Sequence, residues 1–280
     1  MLLAVGFFSL MDAVLKSLSA HYPPLQIATL RGLTALPLVC AYLAWRGAWP
    51  TVWRVRWPLH LMRGVAAITM LSLFTYGLSG LPLANAYTVF FVAPLLITVL
   101  SIPFLQERVP RHHWWAVGVG LLGVVVALQP DGEGFTSRHG LAVMAAALCY
   151  AGSAIAGRVV GRTDTAESMV WWTTVMLAVG AGLLAWPGWL PVQVAHAPLL
   201  VALALSGFGG QLAITQAFRH GQASAVAPFE YTALAWGVGL DWLVWQTWPE
   251  THTWLGGAIV IASGLYILRR ERQHLGADHP

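Results

Sequence analysis

Ten long apolar stretches, separated by short gaps, constrain the fold of this chain more than any other feature. A helix needs about 20 apolar residues to cross about 30 Å of hydrocarbon, and the stretches approach that length. They are continuously apolar, whereas the strands of a membrane β-barrel alternate apolar and polar residues. The stretches lie at roughly 1–18, 26–45, 59–78, 84–103, 113–128, 139–157, 168–186, 198–217, 223–245 and 253–268. The sequence therefore predicts an all-α membrane protein with ten transmembrane helices.

The basic residues indicate how these helices are oriented. Twelve of the fifteen Lys and Arg residues are assigned to the even-numbered gaps or to the C-terminal tail, with Arg63 at the beginning of the third stretch counted in the second gap. They are Arg46, Arg54, Arg56, Arg63, Arg108, Arg111, Arg158, Arg162, Arg219, Arg269, Arg270 and Arg272. The odd-numbered gaps hold only Arg138, and the remaining two, Lys16 and Arg31, lie within apolar stretches. Because Lys and Arg in short loops mark the cytoplasmic side, we expect both termini to be cytoplasmic.

The composition argues against several other classes of protein. The chain is 58% hydrophobic and only 9% charged, whereas soluble domains carry about 25% charged residues. The net charge of +4 comes from the gap arginines, so we expect no nucleic-acid partner. Cys40 and Cys149 lie within apolar stretches, which argues against an extracellular disulfide. We also expect no cleavable signal peptide, because the first stretch is apolar from Met1 onward.

The chain contains fifteen Trp residues, and many of them lie near the ends of the apolar stretches. Such a distribution is typical of the aromatic belts at the two membrane interfaces, so the number of Trp residues alone indicates no aromatic ligand. Trp171, Trp172 and Trp236 are expected to lie deeper than the others. Of these three, Trp171 and Trp236 are candidates for a binding site.

The two halves of the chain resemble each other weakly. Residues 74–86 align with residues 214–226 at an offset of 140, and Glu107 and Glu250 precede corresponding stretches. Each half has five predicted helices, an odd number, so the two copies must insert in opposite orientations. The predicted units are a first repeat at 1–128, a second, inverted repeat at 139–268 and a cytoplasmic tail at 269–280. Inverted repeats are typical of secondary transporters, whose substrate sites lie near the midplane between the repeats.

Charged residues inside the apolar stretches are the first candidates for function, because each costs at least about 2.5–3.5 kcal/mol at the bilayer centre. Asp12 and Lys16 are four residues apart on one helix face, which allows a local salt bridge. Alternatively, Lys16 attracts a substrate carboxylate. Arg31 either snorkels to the interface or pairs with a residue of another helix, or it too serves the substrate. Glu230, the deepest of the four, either pairs with a basic residue or binds a substrate ammonium or coupling proton. Asp241 shares its face but is expected nearer the outer interface.

Two prolines are candidates for helix breaks or gates. Pro94 and Pro228 interrupt stretches that correspond under the internal repeat. Proline removes a backbone hydrogen bond, and interrupted helices in corresponding places indicate a binding site in transporters. Ordinary kinks needed for packing are the alternative interpretation.

Polar and aromatic side chains recur at helical spacing on several stretches. Such residues either join helices or line an amphipathic pocket that suits a zwitterion. With Lys16, Arg31 and Glu230, the candidate pocket residues are Tyr76, Tyr87, Phe91, Tyr150, Trp171, Gln211 and Trp236. The GxGxxG pattern at 118–123 follows no strand, so we predict that it serves helix packing. We find no metal-ligand spacing and no nucleotide-binding motif, and therefore expect no metal and no cofactor.

The chain resembles the EamA-type branch of the drug/metabolite transporter superfamily over essentially its whole length. The matching features are Lys16, Arg31, the turn at Glu107, Gly123 and the segment Ala-Pro-Phe-Glu-Tyr-Thr at 227–232. This resemblance implies ten helices in two inverted five-helix repeats. Within the branch, the chain looks most like the YddG-type aromatic amino-acid exporters.

These observations predict a secondary transporter, and not an enzyme, in a bacterial inner membrane. It is expected to move small metabolites, including aromatic amino acids, by alternating access, and the outward direction is implied by the resemblance. A carrier of S-adenosylmethionine or another metabolite is the alternative. A membrane-embedded lipid-modifying enzyme is a distant one, since the loop 46–63 offers arginines but no acids for a metal. The expected partners are the metabolite and the lipid bilayer. The sequence identifies neither the coupling ion nor the oligomeric state, and a monomer is one of the alternatives.

Overall fold

The computed structural model describes residues 1–105, 111–128, 137–220 and 227–277, and these residues contain helices and no strand. Within these described ranges, seven helices are long and apolar enough to cross a membrane, and Trp114–Ala127 is a shorter apolar helix. The structure thus confirms an all-helical architecture suited to a membrane. The count of ten transmembrane helices, their inverted repeat and the cytoplasmic termini stay predictions. The predicted turn at Glu107 lies outside the described residues.

The helices of the first half are α1 Leu2–Ser19, α2 Pro24–Arg46, α3 Trp49–Val52, α4 Trp57–Leu78, α5 Leu83–Phe90, α6 Ala93–Leu105 and α7 Arg111–Leu128. Those of the second half are α8 Arg138–Val160, α9 Ala166–Val175, α10 Ala181–Ala185, α11 Ala197–His220, α12 Ala233–Leu240 and α13 Thr251–Ala277. A π-helical turn, Met176–Gly180, joins α9 to α10, and a second one, Asp241–Trp245, follows α12. Short 3-10 helices lie at Trp186–Gly188, Val194–His196 and Ala227–Thr232.

Each half has an interrupted helix near a predicted proline. In the first half, α5 ends at Phe90 and α6 begins at Ala93, so Pro94 is the second residue of α6. Proline has no N–H to donate to the carbonyl four residues earlier, which favours an end of the helix at this point. In the second half, the 3-10 helix that contains Pro228 leads into α12 and then into a π-helical turn. The chain therefore departs from regular α-helix near both predicted prolines.

Glycines allow the helices to approach each other closely. The pairs α4 with α8, α7 with α13, and α1 with α11 pack along each other. A Cβ atom at Gly123 on α7 would lie 3.0 Å from the carbonyl oxygen of Gly256 on α13, and one at Gly120 would meet Leu95 and Ser263. The predicted packing role of the 118–123 glycines is confirmed at these two positions, whereas Gly118 faces open space.

The carboxylate of Asp164, in the turn between α8 and α9, joins this turn to the start of α4. Its Oδ2 accepts a hydrogen bond from the backbone N–H of Arg56 at 3.0 Å and lies 2.8 Å from Nε2 of His60. Burial raises the pKa of Asp164, but hydrogen bonds from Thr163, Arg56 and His60 outweigh burial and hold that pKa below its ordinary value. This carboxylate therefore fixes α4 against the second half of the chain.

Gly32 marks the closest approach between α2 and the π-helical turn at 176–180. A Cβ atom there would overlap the backbone N of Ala178 and lie 2.7 Å from its Cα. Because backbone atoms cannot move aside as a flexible side chain can, Gly32→Ala should destabilise the protein by about 1–3 kcal/mol. Thermal unfolding of the purified protein, followed by tryptophan fluorescence, should show a lower apparent Tm.

The matched control is Gly118→Ala, since a Cβ atom at this helical position meets nothing within 4 Å. Alanine is also the better helix former, so this variant should keep or raise the Tm. An equal Tm for the two variants would contradict the close contact between α2 and the turn.

Candidate functional site

The structure gathers the predicted site residues into two groups. The first, which we call the charge cluster, consists of Asp12, Lys16, Arg31, Tyr87 and Asp241. The second, which we call the Glu230 cluster, consists of Phe90, Phe91, Tyr150, Glu230 and Tyr231. The charge cluster joins α1, α2, α5 and the π-helical turn after α12, whereas the Glu230 cluster surrounds the two helix interruptions.

Lys16 forms an ion pair with Asp241 across the longest sequence separation in the site. Its Nζ lies 2.9 Å from Oδ1 of Asp241, and 4.2 Å from the centroid of the Trp245 ring. The interpretation in which Lys16 forms a local salt bridge with Asp12 is therefore wrong. The side chain of Asp241 is only 1% exposed, because the fold buries it between helices, and its expected position nearer the outer interface stays a prediction.

The same carboxylate caps a helix from another part of the chain. The other oxygen of Asp241, Oδ2, accepts a hydrogen bond from the backbone N–H of Ala84 at 2.9 Å. Ala84 is the second residue of α5, and the residue before this helix, Pro82, provides no side-chain cap. The first N–H groups of a helix need acceptors, and a negative charge there is favoured by the helix dipole. Asp241 is thus buried with both oxygens satisfied, which offsets the cost of burying a carboxylate.

The other acid of the charge cluster, Asp12, also finds its partners on other helices. Its Oδ2 accepts a hydrogen bond from the Tyr87 hydroxyl at 2.9 Å, and its charge interacts with that of Arg31. The Tyr87 ring passes over Gly237 on α12, where a Cβ atom would lie 2.7 Å from the ring. The interpretation of Arg31 as an interhelical partner agrees with this interaction, whereas Lys16 pairs with an acid on another helix that the sequence did not indicate. A direct role of these two residues, or of Tyr87, in substrate binding stays a proposal.

The Glu230 cluster places a carboxylate among aromatic rings. Glu230 is partly buried on the 3-10 helix Ala227–Thr232. Its charge acts on the hydroxyls of Tyr150, on α8, and of the neighbouring Tyr231. The described residues provide no basic partner within salt-bridge distance of Glu230. A carboxylate in this setting can accept a substrate ammonium or a proton.

Aromatic contacts connect the two helix interruptions around this carboxylate. The ring of Phe91, in the gap between α5 and α6, lies 5.2 Å from the ring of Tyr231. The neighbouring Phe90 lies 5.4 Å from Tyr150 and 5.2 Å from Phe74. The interrupted helices of both halves and α8 therefore meet at one aromatic surface.

The remaining predicted residues lie outside both groups. Tyr76 stacks on His139 at the start of α8, with 4.9 Å between the rings. Trp171 packs edge-on against Trp49 of the short helix α3, and Trp172 Nε1 donates to the carbonyl of Val52. Both side chains therefore pack against α3, in the connection between two long helices, and their expected depth in the membrane stays a prediction.

Two other candidates are exposed on the surface of the described structure. Gln211 is exposed on α11, and Trp236 is 44% exposed on α12, where its ring lies against Gly6 of α1. Both free cysteines, Cys40 and Cys149, lie within helices as expected. Among the residues that the structure describes, no group of three His, Cys, Asp or Glu side chains could hold a metal ion.

Comparison with known proteins identifies a family for this arrangement of helices. The model of the EamA-like transporter family matches the chain twice, over residues 1–129 and 139–269. The pseudopaline exporter CntI of Pseudomonas aeruginosa UCBPP-PA14 is 28% identical over 271 residues, covering 96% of this chain and 95% of the relative. The S-adenosylmethionine uptake transporter of Rickettsia conorii is 26% identical over 278 residues, covering 99% and 94%.

Two further similarities complete the comparison. The riboflavin transporter of Vibrio cholerae is 26% identical over 275 residues and covers 97% of this chain and 92% of the relative. A solved crystal structure superposes with a TM-score of 0.63 at 20% identity, covering 95% of this chain and 96% of that chain. This last similarity concerns the fold alone.

The pairing of Lys16 with Asp241 can be tested by a double-mutant cycle. Lys16→Met or Asp241→Leu alone should destabilise the protein by about 3–5 kcal/mol, because each leaves a buried charge without its partner. The double variant should be more stable than the sum of the two effects predicts. Thermal unfolding of the four proteins in one detergent measures the coupling.

The control cycle combines Lys16→Met with Asp12→Asn. These two residues are neighbours on α1 but do not pair with each other. A larger coupling between Lys16 and Asp12 than between Lys16 and Asp241 would contradict the structure and restore the local salt bridge.

Proposed function

Because this chain belongs to the EamA-like transporter family, we propose that it is a secondary transporter of small metabolites that carry an ammonium group, aromatic amino acids among them. The protein is a membrane transporter and not an enzyme. The proposed location is a bacterial inner membrane, and the proposed direction is outward. Family membership leaves the substrate open, since the relatives are named for pseudopaline, S-adenosylmethionine and riboflavin.

The observation that carries this proposal is the partly buried carboxylate of Glu230, whose charge acts on the hydroxyls of Tyr150 and Tyr231. Phe91 and Tyr231 contact each other next to it, and Tyr150 approaches from α8. Aromatic faces attract cations, and a carboxylate in a partly buried site favours a bound positive charge over water. An ammonium beside an aromatic side chain, as in an aromatic amino acid, satisfies both kinds of contact.

The position of Glu230 along the helices supports a transport role. It lies on a 3-10 helix in the second half, and Phe91 lies at the interruption in the first half. Interrupted helices allow their two ends to tilt separately, and sites in secondary transporters are built at such places. We propose that the two halves move against each other around this cluster, while Pro94 and Pro228 keep the helices interrupted.

A carrier of S-adenosylmethionine is a second candidate, and the same cluster favours it. The Rickettsia conorii relative covers nearly the whole chain, and a sulfonium group is a cation that aromatic rings and a carboxylate would attract. Competition between S-adenosylmethionine and aromatic amino acids therefore separates the two candidates.

Counterflow in proteoliposomes tests the role of Glu230. We expect exchange of labelled Trp or Phe by the wild type and at least about a tenfold loss in Glu230→Gln, because an amide of similar shape lacks the charge that attracts the ammonium. Both proteins should elute as the same folded species in size-exclusion chromatography. Unlabelled S-adenosylmethionine is added as the competitor.

The matched control is Glu250→Gln, which removes the same charge from a side chain that is 76% exposed. Its exchange rate should equal that of the wild type. Wild-type exchange by Glu230→Gln would remove Glu230 from the binding site. Exchange of S-adenosylmethionine, with no exchange of amino acids, would favour the second candidate.

A further inference from the structure

A cleft of about 290 Å³ lies between α4, α6 and α8, and Arg63 is the one charged side chain among the described residues that line it. Arg63 is the seventh residue of α4 and so lies inside the helix, although the charge pattern alone assigns it to a cytoplasmic gap. The opposite wall comes from α8 and includes Cys149, Gly152 and Ser153. The cleft therefore brings a guanidinium next to an otherwise mainly apolar surface.

The guanidinium of Arg63 has buried donors without acceptors. Its Nε and Nη1 atoms are buried and make no hydrogen bond within the described part of the chain. The group lies against α8 at Gly157, where a Cβ atom would be 3.8 Å from both Cζ and Nε. Lys16 and Arg46 differ from it, since they pair with Asp241 and Glu167. Buried N–H donors of a charged group without partners are costly, so an acceptor from outside the chain would stabilise this side chain.

We propose that this cleft binds a single oxyanion, a carboxylate or a phosphate group, on the guanidinium of Arg63. A guanidinium presents two parallel N–H groups that match the oxygens of either anion. Ser153 also lines the cleft, and its hydroxyl is a further donor for such an anion. As part of the proposed transport function, the oxyanion is the carboxylate of the carried metabolite.

The place of the cleft relative to the Glu230 cluster supports this assignment. Tyr150, which approaches Glu230, and Ser153, which lines the cleft, are three residues apart on α8. Residues at this spacing share one helix face and lie about 4.5 Å apart along the axis. One face of α8 therefore contributes a residue to each of the two subsites.

The phosphate of a lipid headgroup is the other source of an oxyanion. Met62 and Phe104, at the edge of the cleft, are 50% and 68% exposed. Such apolar side chains are suited to contact with acyl chains, so the experiment must separate a lipid from a soluble anion.

Cys149 is a reporter inside the cleft itself. With Cys40→Ala, it is the only thiol in the chain. We would compare its rate of modification by an anionic reagent, 2-sulfonatoethyl methanethiosulfonate, with that by the cationic trimethylammonioethyl analogue. Because Arg63 attracts anions, Arg63→Gln should lower the ratio of the anionic to the cationic rate about tenfold. Arg63→Lys should keep most of this ratio.

Two controls separate local charge from other effects. Arg56→Gln removes one positive charge from an exposed side chain at the start of α4 and should leave the ratio unchanged. The neutral methyl methanethiosulfonate should modify Cys149 equally fast in all variants, which shows that the cleft is intact. An unchanged ratio in Arg63→Gln would overturn the proposal.

Protection of Cys149 from the neutral reagent then identifies the source of the anion. N-acetyltryptophan, which has a carboxylate but no ammonium, should slow modification at least about threefold, whereas N-acetyltryptophanamide, which lacks the charge, should not. Protection in phosphatidylglycerol nanodiscs relative to phosphatidylcholine nanodiscs, without protection by N-acetyltryptophan, would support the oxyanion site but assign it to lipid. Protection by neither anion would overturn the site.

If Arg63→Gln does not fold, a second variant tests the anion site. A Cβ atom at Gly152 meets nothing within 4 Å, so Gly152→Leu fills the cleft while Arg63 stays in place. This variant should lose protection by the anion, and retained protection would contradict the site. Because modification of Cys149 requires no transport, the anion site and the transport function can fail independently: protection without counterflow would overturn only the proposed function.

Discussion

A buried carboxylate, Asp241, is the contact on which the arrangement of the helices depends most. One of its oxygens pairs with Lys16 of α1, and the other accepts the N–H of Ala84 at the start of α5. A charge that is 1% exposed is tolerable only because both oxygens are satisfied. Asp241 thereby holds together α1, the start of α5 and the π-helical turn that follows α12.

The pairing of charges inside the protein determines which charged side chains can interact with a ligand. Lys16 and Arg31 are balanced by Asp241 and Asp12, so they contribute mainly to holding the helices together. Glu230 and Arg63 have no such partners among the described residues, and they lie near Tyr150 and Ser153, one turn apart on α8. An acid and a base on two different elements that both lie near α8, with aromatic rings between the interrupted helices, suit a zwitterionic metabolite.

The sequence predicts much of the helical architecture but few of its contacts. The long apolar stretches, the packing glycines at 118–123 and the breaks near Pro94 and Pro228 follow from local rules of length and backbone geometry. Helical spacing shows which residues share a face, but not which helix that face meets. The sequence therefore did not predict that Lys16 pairs with Asp241, which is 225 residues away. The charge pattern assigned Arg63 to a loop. Its position within an apolar stretch was the sequence signal that it lies inside a helix.

The accessibility of position 150 tests most directly whether the Glu230 cluster is the binding site. In a chain with Cys40→Ala and Cys149→Ala, Tyr150→Cys places the only thiol beside Glu230, at a residue that is 39% exposed. The account predicts that a membrane-impermeant thiol reagent modifies this cysteine, and that a metabolite which supports counterflow slows the modification in proportion to its occupancy. Unchanged modification at a metabolite concentration that saturates counterflow would contradict it.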